Sequence, residues 1–126
     1  MIDIIKQISY WKESSEEDWL ASQHLLEKGH VRHGLFFANL ALEKILKAHV
    51  CKSSGNLAPK IHPLLRLMEM AGLPFSENQK LFLAKFDRYQ MEGRYPGRLP
   101  ALPPAVKVNE EIKTAQEIFQ WLKNQL

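Results

Sequence analysis

The chain is poor in the residues that staple or interrupt a small fold. Its 126 residues include one cysteine, Cys51, which excludes an internal disulfide and fits a reducing compartment, the cytoplasm. At a helix end, Cys51 reads as a small buried hydrophobe. The six glycines form no phosphate-cradling loop of the Walker or Rossmann type. No apolar run approaches the roughly 18 residues that a membrane span needs. The first residues, Met1-Ile2-Asp3-Ile4-Ile5-Lys6, bring an early Asp and no small-residue cleavage site, unlike a secretory signal. One-signed charge is also lacking: 17 basic residues against 14 acidic ones leave +3, too mild a balance to mark a nucleic-acid surface. No nucleophile–base pair and no paired carboxylates stand out as catalytic machinery.

What remains is an ordinary globular composition, 45% hydrophobic and 25% charged, at a length expected for one domain over residues 1–126. Its centre is Gly34–Val50, filled with the helix formers Leu, Ala, Glu and Lys and free of proline. At about 100° per residue, Leu35, Ala38, Leu42, Ile45, Leu46 and His49 share one side, and Phe37, Ala41 and Ala48 widen the apolar arc. The polar remainder is a narrow strip of Glu43, Lys44 and Lys47, continued upstream by Phe36 and Leu40. A helix so apolar is expected at the middle of a bundle. Its strip must meet water, a counter-charge or a ligand.

The other segments supply the surrounding helices. Residues 4–28 read as one long helix closed by Gly29, although Ser14 and Glu17 could also form a capping box that restarts it. The central helix is expected from about His33 to Lys52, antiparallel to the first. A short helix over 62–72 has Pro63 in its first turn and Gly72 after it. Ser76 with Gln79 forms a capping box that opens a fourth helix, ending near Met91–Gly93. Residues 94–105 hold four prolines and cannot be helical. Asn109 is then expected to cap a last helix, with Glu110 and Glu111 against its dipole. No segment reads as a strand. The fold class that follows is all-α, an up-and-down bundle of four to five helices.

In order and spacing these signals resemble the HEPN domain, over roughly residues 10–123. The resemblance rests on Tyr10-Trp11, Glu16-Glu17-Asp18-Trp19, the run from Gly34 to Ala48 with its Leu42-Glu43-Lys44-Ile45-Leu46-Lys47-Ala48, then His62 with Leu64-Leu65, and Arg94-Tyr95-Pro96. It implies a helical bundle, commonly a homodimer, often paired with a minimal nucleotidyltransferase in a two-component or toxin–antitoxin system, with nucleotide binding as the proposed role. Other HEPN proteins are metal-independent ribonucleases carrying an Arg followed after four to six residues by His. None of Arg32, Arg66, Arg88, Arg94 or Arg98 has a His at that spacing, and no histidine follows His62. The resemblance therefore implies a binding module with no catalytic residue, and leaves a ribonuclease with an atypical site or a purely structural protein as rivals.

The candidate ligand residues are Arg94, Arg98, Lys44, Lys47, Tyr95 and His62. Between Lys85 and Lys107, the basic residues Lys85, Arg88, Arg94, Arg98 and Lys107 face only Asp87 and Glu92. Arg94 and Arg98 can fork onto phosphate, and Tyr95 can stack on a base; the alternative is that Arg94 ties its loop down while Tyr95 plugs the core. Lys44 and Lys47 either form a solvated face, with Glu43 and Lys47 in the favourable i,i+4 order, or share a phosphate with the arginine loop closing over them. His62 either meets that phosphate or caps a helix. His30 and His33 lack a third metal ligand. Glu16, Glu17 and Asp18 read as an exposed face. Trp11, Trp19 and Trp121 are candidates for a dimer surface. No cofactor beyond a bound nucleotide is expected.

Overall fold

The computed structural model describes residues 2–90 and 101–126. Among these residues there are five α-helices and no strand: α1 (Ile4–Glu27), α2 (Val31–Ser54), α3 (Leu64–Ala71), α4 (Glu77–Phe86) and α5 (Ala105–Lys123). A 3-10 turn over Asp87–Tyr89 follows α4. The expected all-α bundle is thus the observed architecture. No helix among the described residues is long and apolar enough to cross a membrane.

Helix α1 starts where the Asp3 carboxylate accepts from the Lys6 N–H at 3.1 Å. It runs unbroken through Ser14–Glu17. Ser15 returns its hydroxyl to the Lys12 carbonyl at 2.6 Å instead of restarting the helix. Gly29, at φ +83°, turns the chain into α2, a backbone conformation that a side chain would strain. The two helices then lie antiparallel and close. Ser22 Oγ donates to the Gly34 carbonyl at 2.7 Å, and a Cβ added at Gly34 would stand 2.6 Å from Leu26 Cγ. Small residues at the crossing allow that approach.

Helix α2 is the centre of the bundle. Leu35, Ala38, Ala41, Leu42, Ile45, Leu46 and Ala48 are all fully buried, covered by α1, α3, α5 and the 3-10 turn. It begins two residues before the expected His33 and continues to Ser54, where Gly55 at φ +67° ends it. Pro63 occupies the N-cap of α3 and not its first turn. Proline offers no side-chain acceptor, so the orphan N–H of Leu64 goes instead to the Asp87 carboxylate, at 3.0 and 3.1 Å.

The capping box of Ser76 and Gln79 opens α4 as expected. This α-helix stops at Phe86, ahead of the expected Met91–Gly93, and tightens into the 3-10 turn that delivers Asp87 to α3. Helix α5 begins at Ala105 with Pro104 as N-cap, five residues before the expected cap Asn109. Pro104 presets the entry dihedral, and Ala-Val-Lys-Val after it contains no breaker. At its far end, His49 Nε2 meets the Leu122 carbonyl at 2.8 Å and Lys52 Nζ donates to the Gln125 carbonyl at 2.9 Å. Trp19 stacks on Phe119 with ring centres 5.1 Å apart, and Trp121 meets Phe75 edge-on at 5.2 Å. Both indoles pack inward.

Candidate functional site

Asn39, Glu43 and Lys47 are spaced by four, so they fall on one line along α2. All three are buried. At one end of the line, Asn39 Nδ2 donates to the Phe86 carbonyl at 3.1 Å, and its side chain also bonds the Asp87 carboxylate. In the middle, Glu43 and Lys47 form an ion pair at 3.1 Å, their side chains only 5% and 7% exposed. At the other end, Lys47 Nζ lies 5.1 Å from the centre of a Trp11 ring, a cation–π contact in a desolvated setting. The solvated-face alternative for Lys44 and Lys47 therefore does not hold for Lys47. The i,i+4 pairing of Glu43 and Lys47 is present, but inside the protein.

His62 stands at the mouth of this line. Its Nδ1 is 3.2 Å from Glu43 Oε2, with the His62 side chain 43% exposed. An imidazole nitrogen facing a carboxylate carries the hydrogen, so Glu43 fixes the donor end of the ring. Lys44, on the neighbouring strip, is held by Asp18 at 2.7 Å and by Ser14 Oγ at 2.8 Å. Of the acidic face expected over Glu16–Asp18, Glu17 is exposed and Glu16 remains 41% exposed while pairing with Lys123 at 3.0 Å, whereas Asp18 is half-buried against Lys44. Burial pushes the Asp87 carboxyl up, opposed by its bonds to Leu64, Asn39 and Leu65, while nearby Glu43 adds to the rise.

The structure brings Lys44, Lys47 and His62 to one region of α2, two of them on the same glutamate. Arg94, Tyr95 and Arg98, and the closure of their loop over α2, lie outside the described residues. The charges described there balance: Asp18 answers Lys44, and Glu43 answers Lys47. Among the described residues no three His, Cys, Asp or Glu side chains form a metal-holding group.

Sequence reasoning missed Asn39, Asp87 and Trp11 as members of the site. The first was findable, because one amide and two charges at i, i+4 and i+8 inside an apolar helix form a buried polar line. Asp87 was not, since its role depends on α4 tightening at the right residue. A second network was also missed. Arg88 Nη2 is ion-paired with Glu111 and donates to Tyr89 Oη at 2.8 Å, while Tyr89 donates to Glu111 at 2.6 Å. Burial, then the bond to Glu111, push the Tyr89 phenol up to about 12.

An all-α bundle built on one central helix, with a charged line buried along it, defines the class of the fold. The family model of the HEPN domain matches residues 8–125, and the chain belongs to that family. The crystal structure of TT1696 from Thermus thermophilus is similar to it, with 25% identity and a TM-score of 0.75 over 95% of this chain and 98% of that one. No curated protein matches the chain.

Proposed function

We propose that the protein is a non-catalytic HEPN module that binds a nucleotide beside the polar line of α2. The observation that carries this reading is the buried Glu43–Lys47 pair with His62 at its mouth. A buried ion pair is a poor stabiliser, because desolvation of both charges offsets their attraction, and apolar residues of similar volume often do as well or better. Its presence on a helix otherwise made for packing is more economically explained by a ligand.

Lys44 and Lys47 are each matched by a carboxylate, so the positive charge for phosphate comes in this reading from Arg94 and Arg98, with His62 as a further hydrogen-bonding group. Tyr95 stacks on the base. The module works as a homodimer beside a minimal nucleotidyltransferase, as the family resemblance implies. The ribonuclease reading is disfavoured, since no arginine in the sequence is followed by His at the required spacing.

Isothermal titration with ATP and GTP tests the proposal. Heat of binding is expected for the unaltered protein, with at least a tenfold loss of affinity for Arg94→Ala. No heat with either nucleotide would sink the reading. Degradation of RNA by the pure protein, abolished by Arg94→Ala, would replace it with an enzyme.

A further inference from the structure

A second candidate site lies between α4 and α5. The cleft there encloses about 540 Å³ and is lined by Leu81, Phe82 and Lys85 from α4, Arg88 from the 3-10 turn, and Lys107 and Glu110 among others from α5. That volume is in the range of small-molecule sites. Two features define what would fit.

The first is a ladder of rings. Phe82 stacks on Phe86 with centres 5.0 Å apart and planes 22° from parallel. Phe86 meets Tyr89 edge-on at 5.2 Å, and the Arg88 guanidinium lies over the Tyr89 ring at 4.4 Å. Phe86 and Tyr89 are buried, whereas Phe82, the outer rung, is only partly covered and borders the cleft. Next to it, Leu81 is left 58% exposed. A further flat ring laid on Phe82 would extend the ladder, and offset stacking favours such an addition.

The second feature is charge. Arg88 is held by the Lys85 carbonyl at 2.8 Å, by Tyr89 and by Glu111, so Arg88 and Glu111 cancel in a fixed arrangement. Lys85 and Lys107 remain on opposite walls, both exposed, against Glu110 alone. The lining thus has a net positive charge at its rim and an aromatic floor.

We infer that this cleft binds a small aromatic anion, its ring stacked on Phe82 and its charge between Lys85 and Lys107. The cleft shares Phe86 with the end of the polar line of α2, where Asn39 donates to its carbonyl, but the inference does not rest on nucleotide binding there. Amide chemical-shift mapping on the full chain tests it with three probes: 2-naphthoate, neutral 2-naphthamide and non-aromatic cyclohexanecarboxylate. Naphthoate is expected to shift amides of residues 78–88 and 107–114 and to bind at least fivefold more tightly than either of the others. Lys107→Glu, an exposed change, is expected to weaken naphthoate by a similar factor while nucleotide heats stay unchanged, and Phe82→Leu to abolish the preference for an aromatic ring. Equal binding of naphthoate and naphthamide would overturn the inference, as would indifference to Lys107→Glu, or shifts gathered around Glu43 and Lys47.

Discussion

Lys47 shows how burial changes the meaning of a residue. On the surface, the Glu43–Lys47 pair would be worth a few tenths of a kcal/mol. Inside, removing one partner strands the other. Lys47→Ala is expected to cost about 3–5 kcal/mol, because among the described residues Glu43 keeps only the half-exposed His62 as a partner. Lys44→Ala, which breaks a more exposed contact with Asp18, should cost nearer 1 kcal/mol. Urea unfolding of both variants checks the ranking; equal losses would mean that Glu43 finds another partner. Gly34 makes a similar point about space. Alanine normally improves a helix by up to about 1 kcal/mol over glycine. Here its methyl would press on Leu26, so overpacking of about 1–3 kcal/mol should win, and Gly34→Ala should lower the unfolding midpoint.

At the scale of elements, the bundle is tied together by helix ends that borrow acceptors and donors from elsewhere. Helix α3, eight residues long, has no cap of its own and takes Asp87 from the turn after α4. Asp87→Ala is expected to destabilise by about 1–2 kcal/mol and to speed amide exchange at Leu64 and its neighbours before it affects α1 or α2. Uniform acceleration across the bundle would contradict this local role. Such borrowing also explains which boundaries were legible. Gly29 and Gly72 mark helix ends in the sequence because each takes a positive φ, whereas α2 runs two residues beyond the expected Lys52 before Gly55 ends it. The Ser76–Gln79 box marks a start because its partners are three residues apart. The end of α4 and the start of α5 depend on Asp87 and on Pro104, and the tempting cap Asn109 lies a full turn inside the helix. The site divides in the same way. The gathering of Lys44 and Lys47 followed from helical spacing, whereas the depth of Glu43 and Lys47 depends on α1 and α3 lying over them, which one helix cannot reveal about itself.

For the whole molecule, buried titratable groups set the pH range of stability. Burial lowers His49 below its ordinary value, with Lys52 adding to the effect and the Leu122 bond opposing it. The unfolded chain then takes up the proton more readily than the folded one. Stability should be full above about pH 6.5 and fall as pH drops toward the folded value. Tyr89 works at the other end. Its folded value of about 12 exceeds the unfolded value near 10, so its contribution is intact below about pH 10 and is lost between about 10 and 12. Urea midpoints across pH should therefore decline on both sides, with His49→Gln flattening only the acid limb and Tyr89→Phe only the alkaline one.

The central claim is that the charged line of α2 serves a ligand more than it serves the fold. Replacing Glu43 and Lys47 together by Leu and Met removes both charges at similar volume and strands neither. The most direct measurement is a titration of ATP and GTP into this double variant, once its unfolding midpoint matches or exceeds that of the unaltered protein. The expected result is a folded variant that no longer produces heat of binding. A folded variant that binds either nucleotide as tightly as the unaltered protein would contradict it.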